Sequence, residues 1–189
     1  MNLRCFVAID VPVEIKDALE GLARTLKSHD GDVKWVDIGN MHLTLKFLGH
    51  TPEDLLLRIK ESLVAVSSCR SPFYIKIYGT GIFPTEKNPR VIWVGIEDSE
   101  ILRNLRDGIE NAMSLLGYQR EDRVFRPHLT LGRVRSRRGM IGTLKELERY
   151  KETEFGTIHV IGLRLMKSDL KPKGAEYTCI YDLPLGVSA

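Results

Sequence analysis

The word His-Leu-Thr-Leu occurs twice in this 189-residue chain, at His42 and again at His128. Shuffling the composition would produce two such words at odds on the order of one in a hundred thousand. The repeat therefore points to a duplicated structural unit, a duplicated chemical role, or both. The alternation of the word decides its local structure. Side chains of a strand alternate across it, so His and Thr, two apart, share one face with roughly 7 Å between their Cα atoms. The two leucines share the other face and anchor the strand in a core. If two such strands face each other, two imidazoles and two hydroxyls converge on one cleft.

The flanking sequence repeats as well. An apolar run (4–11) is followed by a helical stripe at Ile15, Leu19, Leu22 and Leu26, and then by the first HLTL strand. A second apolar run (90–97) is followed by an amphipathic helix over 99–117, with Ser99 as its cap, and then by the second HLTL strand. Further elements read as a short strand at 33–36, a helix over 51–68, and a strand over 72–84 running into a turn at GTGIFP. A short helix over 141–150 and closing strands at 155–168 and 175–185, joined by the turn DLKPKG, complete the chain. This order predicts an α+β fold: two pseudo-symmetric lobes, antiparallel sheets flanked by helices, and a central groove carrying both HxTx words. A period of 86 residues suits a duplicated half-domain, so residues 1–189 read as a single bilobal domain.

No apolar run approaches the length of a membrane span, and the first residues are too short and mixed for a leader. The three cysteines, Cys5, Cys69 and Cys179, form no CxxC pair, which fits a reducing cytoplasm. Net charge is only +3 but is unevenly placed. Seven arginines between Arg120 and Arg138, set against Glu121 and Asp122, give that stretch +5 and leave −2 for the rest. The run is either a solvated loop or a positive rim for a phosphate-bearing partner.

A histidine titrates near neutrality, so one imidazole can serve as a base while another stays protonated beside an anion. That pairing suits displacement at phosphorus, where one group activates the nucleophile and the other protonates the leaving oxygen. The hydroxyls of Thr44 and Thr130 and the guanidinium of Arg133 can hold the nonbridging oxygens. Strict alternation turns Arg133 away from His128, so a bulge or twist after Gly132 is needed to bring it back. Neither HxH nor HExxH spacing is present, which argues against a metal cofactor. The absence of GxSxG argues against a serine nucleophile. Phe47, Trp35, Trp93 and Phe125 could stack a base, although large aromatics in apolar strands ordinarily belong to the core.

The segments FVAI, WV, NMHLTLKFLG, RVIWVGI and FRPHLTLGRV, taken in order, resemble the RNA 2′,3′-cyclic phosphodiesterases, also called 2′-5′ RNA ligases, within the two-histidine phosphoesterases. The resemblance implies a metal-free enzyme, with no cofactor, that opens an RNA terminal 2′,3′-cyclic phosphate to a 2′-phosphate, with reversible 2′-5′ ligation as a side activity. It assigns His42 as proton donor, His128 as proton acceptor, and Thr44, Thr130 and Arg133 to the phosphate. RNA is the expected partner and a monomer the expected state. Two rival readings remain: a phosphodiesterase of small cyclic nucleotides or ADP-ribose cyclic phosphate, and a non-catalytic RNA-binding module. Arginine or lysine would grip phosphate better than histidine, which disfavours the binding module.

Overall fold

A computed structural model describes residues 2–172 and 174–186. The fold is α+β, and every strand pairing in its two sheets is antiparallel. The first sheet contains β1 (Asn2–Asp10), β3 (His42–Pro52), β8 (Gly162–Lys171) and β9 (Gly174–Pro184), in the order β3-β1-β8-β9. The second contains β2 (Val33–Trp35), β4 (Phe73–Thr85), β5 (Asn88–Ile96), β6 (His128–Val134) and β7 (Glu154–Val160), in the order β2-β6-β5-β4-β7. With β2 set aside, the two orders match. Each HLTL strand lies beside the apolar strand that precedes it in its half of the chain.

The register repeats too. In the first sheet Asp10 lies opposite His42 and Ala8 opposite Thr44. In the second, Gly95 lies opposite His128 and Trp93 opposite Thr130.

The helices are α1 (Val13–Lys27), α2 (Leu56–Ser68), α3 (Glu100–Leu115) and α4 (Met140–Glu148). Their apolar stripes reach the core as their spacing dictates: Ile15, Leu19, Leu22 and Leu26 of α1 are all buried. In α3, Ser99 caps the N-terminus by accepting from the amide of Leu102, and Leu102, Leu105, Ile109 and Met113 are buried. The helices cross between lobes. Helix α1 leaves the first sheet but packs against β7 of the second and against α4. Helix α3 leaves the second sheet but packs against β3 of the first and against α2. One continuous apolar cluster therefore includes buried residues from both sheets and all four helices. No described helix is long and apolar enough to cross a membrane.

Three local expectations differ from the fold. The run 155–168 is not one strand. Strand β7 ends at Val160 in the second sheet, exposed Ile161 breaks the pairing, and β8 begins at Gly162 in the first. An unbroken apolar run does not reveal such a change of partner. GTGIFP is not a turn either, because β4 continues through it. The chain is kinked by a register shift between Ile77 and Thr80, where Gly79 adopts φ +72°. The closing turn DLKPKG is tighter than the sequence suggests, since Asp169–Lys171 already pair with Gly174–Glu176. Its Lys173 lies outside the described residues.

Candidate active site

The two HLTL strands come together where the lobes meet. Leu43, Leu45, Leu129 and Leu131 are buried, while His42, Thr44, His128 and Thr130 lie half-buried on the other face. Each strand then carries an irregularity at the same place. Trp93 pairs with Thr130 but Ile92 pairs with Gly132, so Leu131 is an extra residue in β6. Ala8 pairs with Thr44 but Val7 with Lys46, so Leu45 is an extra residue in β3. A bulge of this kind reverses the alternation beyond it. Lys46 and Gly132 turn to the core, and Phe47 and Arg133 return to the face of the histidines. The bulge that Arg133 requires thus lies just before Gly132, and its cause is the register with β5.

Both imidazoles are fixed by the same device. His42 Nδ1 lies 2.9 Å from the carbonyl oxygen of Asn40, and His128 Nδ1 lies 2.7 Å from that of Arg126. A carbonyl only accepts, so Nδ1 carries the hydrogen in both rings and Nε2 is left for a ligand. The turn before β3 is held by Asp37, whose carboxylate accepts from Gly39 N at 2.9 Å. Before β6, Pro127 constrains the backbone, and its carbonyl accepts from Ile96 N. The His42 ring stacks on Phe6 at 4.5 Å and meets the edge of Tyr177 at 4.9 Å. The His128 ring meets Phe83 edge-on at 5.0 Å. Among the described residues, neither Thr44 nor Thr130 has a hydroxyl partner, so both are free to donate.

Burial lowers the pKa of both histidines below the ordinary 6.5, and the Nδ1 bonds partly offset this. Their charged neighbours then differ. The Asp10 carboxylate raises His42, with Lys16 opposing it. Arg133 lowers His128 further. Asp10 is itself tied to Arg164 at 2.8 Å and to Lys16 at 3.8 Å, and Arg164 reaches Asp182 at 3.6 Å. When one proton is shared between the two rings, these neighbours favour it on His42.

Sequence reasoning did not single out Asp10, Phe6, Tyr177 or Phe83. They reach the histidines only through strand pairing, which no spacing in the chain announces. Of the four aromatics considered for stacking, Trp35 packs against the core and Phe125 lies under the Arg106 guanidinium at 5.5 Å. Trp93 is half-buried over Gly81, where a side chain would collide with the indole. Phe47 is 67% exposed. The basic run divides: Arg120 bonds Asn111 and Arg123 pairs with Glu121, whereas Arg126, Arg133, Arg135, Arg137 and Arg138 have no ion-pair partners among the described residues. Nor do any three His, Cys, Asp or Glu side chains gather into a metal-binding group among those residues.

Comparison with known proteins agrees with the duplicated architecture. The family described as LigT-like phosphoesterase matches twice, over residues 9–93 and 94–177. An RNA 2′,3′-cyclic phosphodiesterase of Archaeoglobus fulgidus is 36% identical, across 93% of this chain and 96% of its own. One of Methanothermobacter thermautotrophicus is 34% identical, across 94% and 96%. A crystal structure of a Thermus thermophilus protein superimposes with a TM-score of 0.84 at 30% identity, covering 99% of this chain and 100% of the other. E. coli LigT in complex with 3′-AMP shares the fold, with a TM-score of 0.80 at 22% identity over 98% and 99% of the two chains. The twofold match to the family and the near-complete coverage of these relatives lead to one conclusion: the chain belongs to the LigT-like phosphoesterases.

Proposed function

We propose that this phosphoesterase opens the 2′,3′-cyclic phosphate at an RNA end to a 2′-phosphomonoester by metal-free acid–base catalysis. The observation that carries this reading is the pair of Nδ1-anchored imidazoles on matching strands, one beside a carboxylate and the other beside a guanidinium. The names of the Archaeoglobus and Methanothermobacter relatives support the choice of RNA cyclic phosphate.

Neutral His128 takes a proton from water through Nε2, and the water oxygen bonds to phosphorus. The P–O3′ bond breaks on the opposite side, and the departing oxygen takes the proton of His42 Nε2. A 2′-phosphate and a free 3′ hydroxyl result, and proton exchange with solvent resets the two rings. Thr44, Thr130 and Arg133 donate to the nonbridging oxygens as charge shifts onto them. A 5′ hydroxyl in place of water gives a 2′-5′ linkage by the same steps. Exchanging one diester for another needs no nucleotide energy, so ligation is a reversible side activity. Both histidines come from one chain, so one copy suffices.

The test is a short RNA ending in 2′,3′-cyclic phosphate, incubated in excess EDTA with products resolved by phosphorus NMR. A single 2′-phosphomonoester signal is expected. A 3′-phosphate product, or turnover that EDTA stops and zinc restores, contradicts the scheme.

A further inference from the structure

Of the basic run, only Arg133 has a part in the reaction at phosphorus, yet the cations continue beyond it. Lys34 of β2 lies directly opposite Arg133, so the two share a face. Arg135 is two residues further along, roughly 7 Å away between Cα atoms. Its amide still bonds the carbonyl of Asp32 at 2.8 Å. Arg137 and Arg138 follow in a turn that is tied to the same residue. The Arg138 carbonyl accepts from Asp32 N at 3.1 Å, and Ser136 Oγ donates to the Asp32 carboxylate at 2.6 Å. The side chains of Lys34, Arg133, Arg135, Arg137 and Arg138 are all exposed. None has an ion-pair partner among the described residues, and the neighbouring Asp30 and Asp32 form no ion pair there either.

The cations beside His42 are neutralised where they stand: Lys16 and Arg164 by Asp10, and Arg164 also by Asp182. The uncompensated row thus stands on the His128 side of the site. Its like charges repel one another, and a polyanion relieves that repulsion. The chemistry proposed above says which polyanion. In an in-line displacement the entering and leaving oxygens lie on opposite sides of phosphorus. The leaving O3′ and its ribose face His42, and the entering oxygen faces His128. Water as the entering group needs no row of cations. An RNA strand that enters by its 5′ hydroxyl trails its phosphates away from His128, along the path by which β6 leads to Arg133 and on to Arg138.

We infer that Lys34, Arg135, Arg137 and Arg138 form a track for the acceptor strand, an RNA with a free 5′ hydroxyl. The 5′ oxygen bonds to phosphorus as its proton passes to His128 Nε2. The P–O3′ bond breaks, and O3′ takes the proton of His42. Arg133 holds the reacting phosphate, and the track takes up the phosphates that follow in the acceptor. Contacts to the backbone carry no sequence information, so the track accepts strands of any sequence. By concentrating the 5′ hydroxyl beside His128, it sets how often joining wins over hydrolysis. This inference rests on the proposed cyclic phosphodiesterase reading.

The donor in the test is adenosine 2′,3′-cyclic phosphate, which has no RNA body, so any strand on the track is the acceptor. Wild type and a variant combining Arg135→Gln, Arg137→Gln and Arg138→Gln are each given this donor with uridine or with a 5′-hydroxyl uridine hexanucleotide. Ligated and hydrolysed products are separated by anion exchange. Wild type should reach half-maximal ligation at a lower concentration of hexanucleotide than of uridine. The variant should raise that concentration for the hexanucleotide about tenfold and lower the log–log salt slope of its ligation by about 2. It should hydrolyse the donor alone at the wild-type rate. Lys34→Gln alone should act in the same direction with a smaller effect. Hexanucleotide ligation that does not change, or that falls only as far as donor hydrolysis falls, overturns the track. So does a wild type that hydrolyses the donor but joins it to neither acceptor. A second arm follows hydrolysis of a longer RNA ending in the cyclic phosphate. If the variant raises its KM as much as that of the hexanucleotide, the cations hold the donor strand and the inference fails. If wild type opens neither the donor nor the RNA, the cyclic phosphodiesterase reading itself has failed.

Discussion

Strands β3 and β6 begin with the same four residues, carry a bulge at the same step, and then diverge at two positions. On the core side the pair is Lys46 and Gly132; on the cleft side it is Phe47 and Arg133. Their neighbours explain the core-side difference. Strand β6 has β2 along its outer edge, and a side chain at Gly132 would meet Val33 Cγ1 at 2.5 Å and the Trp35 ring at 3.1 Å. Strand β3 is the edge of its sheet, so Lys46 has room to pass toward α3. Its ammonium pairs with Glu110 at 2.7 Å and donates to the carbonyl of Gln119 at 2.9 Å. Glu110 also faces Arg106 at 3.3 Å and accepts from the amide of Glu121. The first lobe thus holds in its core the start of the loop that leads to His128. Duplication supplied two equivalent imidazoles, and edge position, Asp10 and Arg133 made them unequal.

The largest effect expected concerns what the two strands share. His42→Ala and His128→Ala should each lower kcat by about 10² to 10⁴ with the fold retained, because the leucines behind them do the packing. Circular dichroism and single-turnover rates check this. A folded variant with full rate removes that histidine from the mechanism.

The buried cluster of Lys46, Glu110 and Arg106 beside the first sheet has no counterpart beside the second among the described residues. Glu110→Gln leaves Lys46 buried without a carboxylate, while Arg106 keeps Asp107, and should cost about 3–5 kcal/mol in urea denaturation. Lys46→Met leaves Glu110 still paired with Arg106 and should cost less. Equal costs would mean that Arg106 contributes nothing to the cluster.

A smaller effect should separate the two histidines by pH. Both directions of shift point below 6.5, so the bell of kcat/KM should centre on the acid side of 6.5, with apparent pKa values that belong to the pair. Asp10 favours the charged form of His42, so Asp10→Asn lowers the pKa of the acid. The alkaline limb should then move to lower pH while the acid limb, set by His128, stays. Around His42 the other charged groups are Lys16, Arg164 and Asp182, which the substitution leaves in place. A rate lowered at every pH, with no displaced limb, would make Asp10 merely structural.

These comparisons also show what a linear sequence can carry. The shared face of His42 with Thr44, and of His128 with Thr130, follows from the period of a strand, and the repeated strand–helix–strand order announces two lobes. The return of Arg133 to that face does not follow, because a bulge is set by the partner strand. Asp10 lies 32 residues before His42 and meets it only by pairing across β1 and β3. The exchange of α1 and α3 between lobes is equally silent, since an amphipathic stripe shows that a helix packs and not on which sheet. The change of sheet at Ile161 is hidden for the same reason: the residues on both sides are equally apolar.

The central claim is that two identical words perform opposite proton transfers, and a change of leaving group tests it most directly. A cyclic substrate with sulfur in place of the 3′ oxygen releases a thiolate, which needs far less help from an acid than a sugar alkoxide does. His42→Ala should recover most of its lost rate on this substrate. His128→Ala should remain slow, because its water still lacks a base. Rescue of His128→Ala with His42→Ala left slow would reverse the roles and contradict the assignment drawn from Asp10 and Arg133.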